Sequence, residues 1–387
     1  MIVCLLDRVL KLLDRNTERS AVMMVGLDWS SAFDRQDPTI AVKKFIQLGV
    51  RPSLIPLLAN YLTDRKMKVK FNGELSEFLA LIGGGPQGTL LGQIEYLVQS
   101  NDNAENIPED DRFKYIDDLS VLQLICMTGL LLSYDFHQHV ASDIGTEDKF
   151  LPPESYEMQS NINQISEWTA ANKMKLNPNK CSYMLISRSK QNIATRLNID
   201  GVILERKKEQ KILGMVISDD LSWSKHCQEI CKKAYSRMSM LTKLKYVGIR
   251  IEDLIDIYIL YIRSLTEYCS VSFHSSLTLE QSNKIERIQK TCLKVILSEM
   301  YVDYEAALEM TGLDTLYDRR VDRCLKFSLK SIKHERNQNL FPLNSNLGNM
   351  DTRHSERFEV NFATTEAYRN SAIPFCQRLL NNHFQTK

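Results

Sequence analysis

The chain has 387 residues, 43% apolar and 25% charged, which is enough core for more than one packed unit and no composition for disorder. Its 49 basic and 48 acidic residues leave a net charge of +1, so any nucleic-acid surface must come from local clustering of Lys and Arg. Nine cysteines without a CxxC pair argue against a disulfide framework or a zinc ribbon; His226-Cys227 with Cys231 comes nearest to metal spacing but lacks a second pair.

At the start of the chain, Cys4, Leu5, Val9, Leu12 and Leu13 recur at helical spacing. Asp7, Arg8 and Lys11 interrupt this segment, which lacks the order of a signal peptide. The most apolar stretch, Val121 to Leu132, is too short to span a bilayer. The expectation is a protein of the nucleus or cytoplasm, not secreted and not in a membrane.

Val22 to Leu27 reads as a buried strand ending on Asp28, an unusual place for a charge unless something binds it. Asp37, Pro38 and Gly49 punctuate a helix, and Leu54, Leu57, Leu58, Tyr61 and Leu62 mark the apolar face of a second one. Met67, Val69 and Phe71 alternate with Lys66, Lys68 and Lys70, predicting a half-buried strand with a basic face. Asn72-Gly73 then turns that strand into Phe78 to Ile82. The run from Gly83 to Gly88 stops this hairpin and opens a helix at Thr89.

Phe113 to Ile116 and Leu119 to Leu122 predict two short strands with Asp117-Asp118 at their bend. Residues 128–153 are poorly periodic. A helix carrying Ile162, Ile165, Trp168 and Thr169 leads through Lys173 to Asn179 into a strand at Tyr183 to Ile186, and Ile212 to Ile217 reads as one further strand. Asp219-Asp220 is a second acidic pair after a strand and is given only a cap or turn role.

From Trp223 the pattern is helical. Ile230, Ala234, Met238, Leu241 and Leu244 form one face; Leu254, Tyr258, Tyr261 and Leu265 a second; Ile285, Ile288, Cys292 and Val295 a third. Lysines and arginines flank the first and third faces. The tail from 337 to 357 is polar and turn-rich. The predicted organisation is an α+β body over residues 1–220, a helical region over 221–300 and a helical or irregular region over 301–387.

Three carboxylates meeting at a sheet edge repel and raise one another's pKa. Divalent cations cancel that repulsion, and Mg²⁺ prefers a few carboxylates together with substrate phosphates. Two such ions about 4 Å apart activate a hydroxyl and stabilise a leaving pyrophosphate. An Asp pair taken alone is more often a solvated turn; the neighbouring motifs lift Asp117-Asp118 above that reading.

LDWSSAFD (27–34) resembles motif A of reverse transcriptases, GGGPQGTLLG (83–92) motif B, and KYIDDLS (114–120) motif C. NKMKLNPNKCSYMLIS (172–187) resembles motif D, and KILGMVIS (211–218) motif E. They stand in the family's order. YIRSLTEYCSVSFHSSL and IERIQKTCLKVIL resemble the thumb region of non-LTR (LINE-type) retrotransposon polymerases.

The resemblance implies an α+β fold: a reverse-transcriptase palm, with an antiparallel sheet packed on helices, then an all-helical thumb and C-terminal region. It implies an RNA-directed DNA polymerase working on an RNA template, a DNA primer and dNTPs with two Mg²⁺ ions, Mn²⁺ substituting. Asp28 and Asp117 would hold both metals with Asp118 in support. Phe33, five residues after Asp28, would be the steric gate against a 2′-hydroxyl. Gly85, Pro86, Gln87, Gly88 and Tyr115 would contact substrate, and Lys180 would be the general acid for pyrophosphate.

Departures from the family pattern are Leu91-Gly92-Gln93 where many elements carry LGP, and about twenty residues before motif A where the fingers are expected. The expectation is therefore a polymerase lacking most of its fingers and the endonuclease domain. Two readings compete: a catalytically inactive retroelement remnant or domesticated nucleic-acid-binding protein, and an RNA-copying RNA polymerase. Phe33 argues against the latter.

Overall fold

The computed structural model describes residues 1–16, 20–126, 153–187, 195–343 and 357–385. The aperiodic stretch at 128–153 (apart from Pro153) and most of the polar tail at 337–357 lie outside the described residues. Two compact units emerge: Glu18–Lys207, and Ile2–Thr17 together with Lys208–Lys387. Among the described residues no helix is long and apolar enough to cross a membrane.

A five-stranded sheet carries the first unit. Its central strand β1 (Ser20–Leu27) lies between β7 (Asp118–Cys126) and β8 (Ser182–Ser187), antiparallel to both; β6 (Arg112–Tyr115) borders β7, and, after the separate antiparallel pair β9 (Asn198–Ile199) and β10 (Val202–Ile203), β11 (Glu205–Arg206) runs parallel to β8 at the other edge. Ala21 to Val25 are fully buried on both faces, which is why β1 reads as a continuous apolar run without alternation. Helix α5 (Pro153–Ala171) closes the sheet with Met158, Ile162 and Ile165.

Helices α2 (Pro38–Gln47), α3 (Ile55–Leu62) and α4 (Leu90–Ser100) complete the unit. Asp37 caps α2 as the sequence predicts, accepting from the Thr39 and Ile40 amides. Ala41, Phe45 and Leu62 share a core beside α4's Val98. Leu58 packs against this core as predicted, whereas Leu57 and Tyr61 of α3 and the preceding Leu54 depart from expectation in being exposed. So does the hairpin after it.

The hairpin forms two short pairs, β2 (Lys66–Met67) with β5 (Leu79–Ala80) and β3 (Lys70–Phe71) with β4 (Glu74–Leu75), turning at Asn72 and Gly73, both at positive φ. Met67, Val69, Phe71 and Phe78 are exposed rather than half-buried. Alternation sets two faces, but burial of one needs a second layer, and none of the described residues supplies it.

The second unit begins with α1 (Ile2–Arg15), a segment remote in sequence from the rest of the unit. Asp14 accepts from the Thr364 and Thr365 amides at 3.0 and 2.8 Å, and this tie holds α1 to the C-terminal segment. The sequence-based boundary near 220 differs from the observed one at 207/208 for a similar reason. The segment read as one strand at Ile212 to Ile217 is a hairpin, β12 (Glu209–Ile212) and β13 (Met215–Ser218), reversing at Leu213 and Gly214 with φ of +46° and +83°. It packs on α6 (Ser224–Tyr246) within the second unit, the Val216 amide donating to His226. Asp220 does serve the turn before α6, accepting from the Ser218 hydroxyl and the Ser222 amide.

A helix α7 (Ile251–Ile257) runs into a π-helical segment, Tyr258–Arg263, and then α8 (Ser264–Glu267). The wider turn rotates the apolar face, so Ile262 is buried with Leu254 and Tyr258 while Tyr261 is exposed. The face predicted at Tyr261 is corrected accordingly, while Leu265 is half-buried. Helices α9 (Leu279–Leu297), α10 (Tyr304–Thr311), α11 (Leu316–Ser331), α12 (Glu366–Arg369) and α13 (Ala372–Gln385) follow.

Glu267 organises the centre of this unit. Its buried carboxylate receives the Arg319 and Arg323 guanidinia, with Arg263 at 3.5 Å. Burial opposes ionisation, yet the hydrogen bonds from Arg319 and Arg323 prevail and hold the carboxyl below the usual range. That contribution is present at neutral pH and lost as pH falls through the depressed value. Glu267→Ala leaves Arg263 and Arg323 without this counter-ion and Arg319 with only Asp314, at 4.0 Å, and is expected to cost about 3 kcal/mol in denaturant unfolding, the lower end for a broken buried pair because Arg323 is partly solvated. A loss below about 1 kcal/mol would sink this account.

Candidate active site

Backbone pairing, before any side-chain choice, brings the three acids to one end of the sheet. Leu27 of β1 pairs with Leu119 of β7, so continuing the register by one residue sets Asp28 opposite Asp118. Tyr115 pairs with Asp118 across a two-residue turn, Ile116-Asp117. Ile116 takes φ of +56°, a region costly for a β-branched residue, and such strain is kept where the surroundings impose it. A two-residue hairpin demands a positive φ, and here the demand falls on Ile116.

Asp28 is fixed from its other side by the segment before β8. Its carbonyl accepts from the Asn177 amide at 2.9 Å, and its amide donates to the Cys181 sulfur at 3.4 Å. The Ser30 amide donates to the Lys175 carbonyl, and the Trp29 indole to the Thr169 hydroxyl. These ties bring Lys180 to the site, its Nζ 4.0 Å from Asp28 Oδ1.

The electrostatics report the convergence. Burial raises the Asp28 pKa against the pull of Lys180, with Asp117 adding to the rise. Burial and then the fields of Asp117 and Asp28 raise Asp118. Tyr96 of α4 is the more telling group: after burial, its phenol is pushed up by Asp117, Asp118 and Asp28 together. One buried side chain thus feels all three acids. Sequence reasoning missed Tyr96, because its role exists only through tertiary contact.

Hard carboxylate oxygens converging in this way fit a small divalent cation. Among the described residues, no three His, Cys, Asp or Glu side chains stand close enough to share one ion as they are placed.

Phe33 packs on Tyr96 with ring centroids 4.9 Å apart, beside the acids. The glycine loop lies against the same segment. The Gly85 amide donates to the Phe33 carbonyl at 2.8 Å and the Gly84 amide to the Gln36 carbonyl at 2.7 Å, while Arg65 donates to the Gly83 and Gly84 carbonyls. Gln87 Nε2 donates to Asp34 Oδ1 at 2.7 Å, and the Thr89 hydroxyl, capping α4, donates to the Pro86 carbonyl. Gly88 sits at φ of +77°, and Tyr115 is half-exposed beside the acidic turn.

Gly85 has no space for a side chain. A Cβ there would overlap Gln36 Oε1 and approach Glu95 Oε2 to 3.2 Å. Gly85→Ala is expected to destabilise the first unit by about 1 kcal/mol in denaturant unfolding, through displacement of the buried Gln36 amide. An unchanged midpoint would contradict this placement.

No protein-family model matches the chain. Over 218 residues it is 23% identical to a probable RNA-directed DNA polymerase from transposon BS of Drosophila melanogaster, covering 56% of this chain and 22% of that protein. It is also 23% identical, over 225 residues, to the RNA-directed DNA polymerase from mobile element jockey of the same species. The jockey polymerase of Drosophila funebris gives 23% over 224 residues. The curated relatives are retrotransposon RNA-directed DNA polymerases. The chain spans only 22% of the length of each of these relatives. Among solved structures, apo telomerase from Candida tropicalis aligns at 13% identity and a TM-score of 0.38, covering 84% of this chain and 48% of that one. A telomerase from Candida albicans aligns at 11% and 0.38, covering 80% and 51%.

Proposed function

We propose that the first unit is a reverse-transcriptase palm that extends a DNA primer on an RNA template with dNTPs. The observation that carries this reading is the convergence of Asp28, Asp117 and Asp118 at one sheet end, felt together by Tyr96. Asp28 and Asp117 would hold two divalent cations, Mg²⁺ or in its place Mn²⁺, with Asp118 in support. When bound, such ions activate a primer 3′-hydroxyl and stabilise the departing pyrophosphate.

The chain's own residues supply selection and orientation. Phe33, backed by Tyr96, forms a wall that a 2′-hydroxyl would strike. Gly85, Pro86 and Gly88 offer backbone that approaches a nucleotide closely, and Gln87 is oriented for that contact by Asp34. Tyr115 lines the primer side. Lys180, tethered near Asp28, donates a proton to pyrophosphate. In the second unit, the exposed Lys232, Lys233 and Lys243 of α6 suit a thumb that tracks duplex phosphates without reading sequence.

A second reading, a catalytically silent nucleic-acid-binding remnant, is favoured by the spread of the three acids. The deciding experiment offers the purified chain a DNA primer annealed to RNA, Mg²⁺, and either dNTPs or NTPs. Extension with dNTPs supports the polymerase. Duplex binding without extension points to the remnant, and a preference for NTPs to an RNA polymerase.

A further inference from the structure

One carboxyl outside the acidic triad lies beneath the glycine loop. Glu95, on α4, is 0% exposed, and neither of its carboxyl oxygens has a hydrogen-bond partner. Gln36 is 1% exposed, and neither its amide nitrogen nor its amide oxygen has one. Buried polar side chains are nearly always bonded, so each of these is anomalous by itself. They converge on one point, the missing Cβ of Gly85: Gln36 Oε1 overlaps that position, and Glu95 Oε2 is 3.2 Å from it. An amide and a carboxylic acid are complementary hydrogen-bonding partners.

We propose that Glu95 and Gln36 form a positioning pair that clamps the Gly83–Gly85 loop to α4 and to the segment bearing Phe33. The proposal rests on the reading of that loop as the nucleotide contact. The clamp is closed in the neutral acid, which donates to the Gln36 carbonyl oxygen. Burial pushes the Glu95 carboxyl up to about 7, with Arg65 pulling the other way.

Arg65 supplies the opening mechanism. Its guanidinium holds the Gly83 and Gly84 carbonyls, and it is the charged side chain whose field acts on Glu95. An ionised Glu95 competes with those carbonyls for Arg65 and loosens the loop. The other charged groups nearby are engaged elsewhere. On α2, Lys44 binds Asp102 and the Gln99 carbonyl, and the capping Asp37 binds Lys173. Asp34 accepts from Gln87, and Tyr96, next along α4, answers to the three acids.

The test reads the loop directly. Exchange of the Gly84 and Gly85 amides, corrected for intrinsic rate, is followed from pH 5.5 to 8.5. In the unaltered chain their protection is expected to fall about tenfold as pH rises through 7. Glu95→Gln, which keeps the shape and the donor, is expected to stay protected throughout, and Gln36→Leu to be weakly protected at every pH. Protection in the unaltered chain that follows Glu95→Gln at all pH values overturns the proposal, as does Gln36→Leu behaving like the unaltered chain. A parallel arm measures dNTP KM and kcat, with KM expected to rise above pH 7 in the unaltered chain relative to Glu95→Gln. Absence of extension in every variant refutes the polymerase reading, while the exchange data still decide the clamp.

Discussion

Replacing Asp117 with Asn is expected to lower Mg²⁺-dependent extension of a DNA primer on RNA by about a thousandfold or more, with duplex binding retained. Asn suits the second position of the Ile116-Asp117 turn as well as Asp does, so the hairpin survives and only the charge is lost. The companion change, Asp118→Asn, separates chemistry from folding. Burial and the fields of Asp117 and Asp28 hold the Asp118 pKa above its ordinary value. A raised carboxyl gives stability that is complete below its unfolded value, about 4, and lost as pH rises through the folded one. Asp118→Asn is therefore expected to raise the Tm of the metal-free chain at neutral pH by about 2 °C while reducing extension. Full extension by Asp117→Asn would remove the acids from the chemistry.

Phe33→Val is expected to relax discrimination against ribonucleotides by roughly a hundredfold, read as the ratio of kcat/KM for dNTP and NTP. The ring matters because it is backed: Tyr96, 4.9 Å away between centroids, keeps it from swinging aside. Tyr96→Ala is therefore expected to move the same ratio in the same direction by about tenfold, with Phe33 still present. Unchanged discrimination in Phe33→Val would show that the ring is core packing and not a gate.

These expectations draw on features that were unevenly legible in the sequence. The buried strand before Asp28 was readable because β1 is covered on both faces, and the acid pair was readable as a bend because short strands flank it. Asp37, Thr89 and Asn72-Gly73 declared themselves by local chemistry alone. What stayed hidden depends on distant partners. Tyr96 and Glu95 look like ordinary positions on an amphipathic helix until α4 packs beside the acids and under the glycine loop. The first helix joins the second unit through Asp14 and Thr365, 351 positions apart. The strand predicted at Ile212 to Ile217 concealed a turn because Leu213 is apolar, and the face at Tyr261 was misplaced because a π-helical turn breaks the 3.6-residue period. Alternation at Met67 to Phe71 predicted burial that no second layer among the described residues provides.

The central claim is that Asp28, Asp117 and Asp118 together hold divalent cations. Its most direct test is a titration of Mn²⁺ into the metal-free chain with an RNA–DNA primer–template and dNTP, free Mn²⁺ being followed by electron paramagnetic resonance. The expected result is uptake of about two ions per chain, lost when Asp28→Asn and Asp117→Asn are combined. Equal Mn²⁺ uptake by the unaltered chain and the double variant would contradict it.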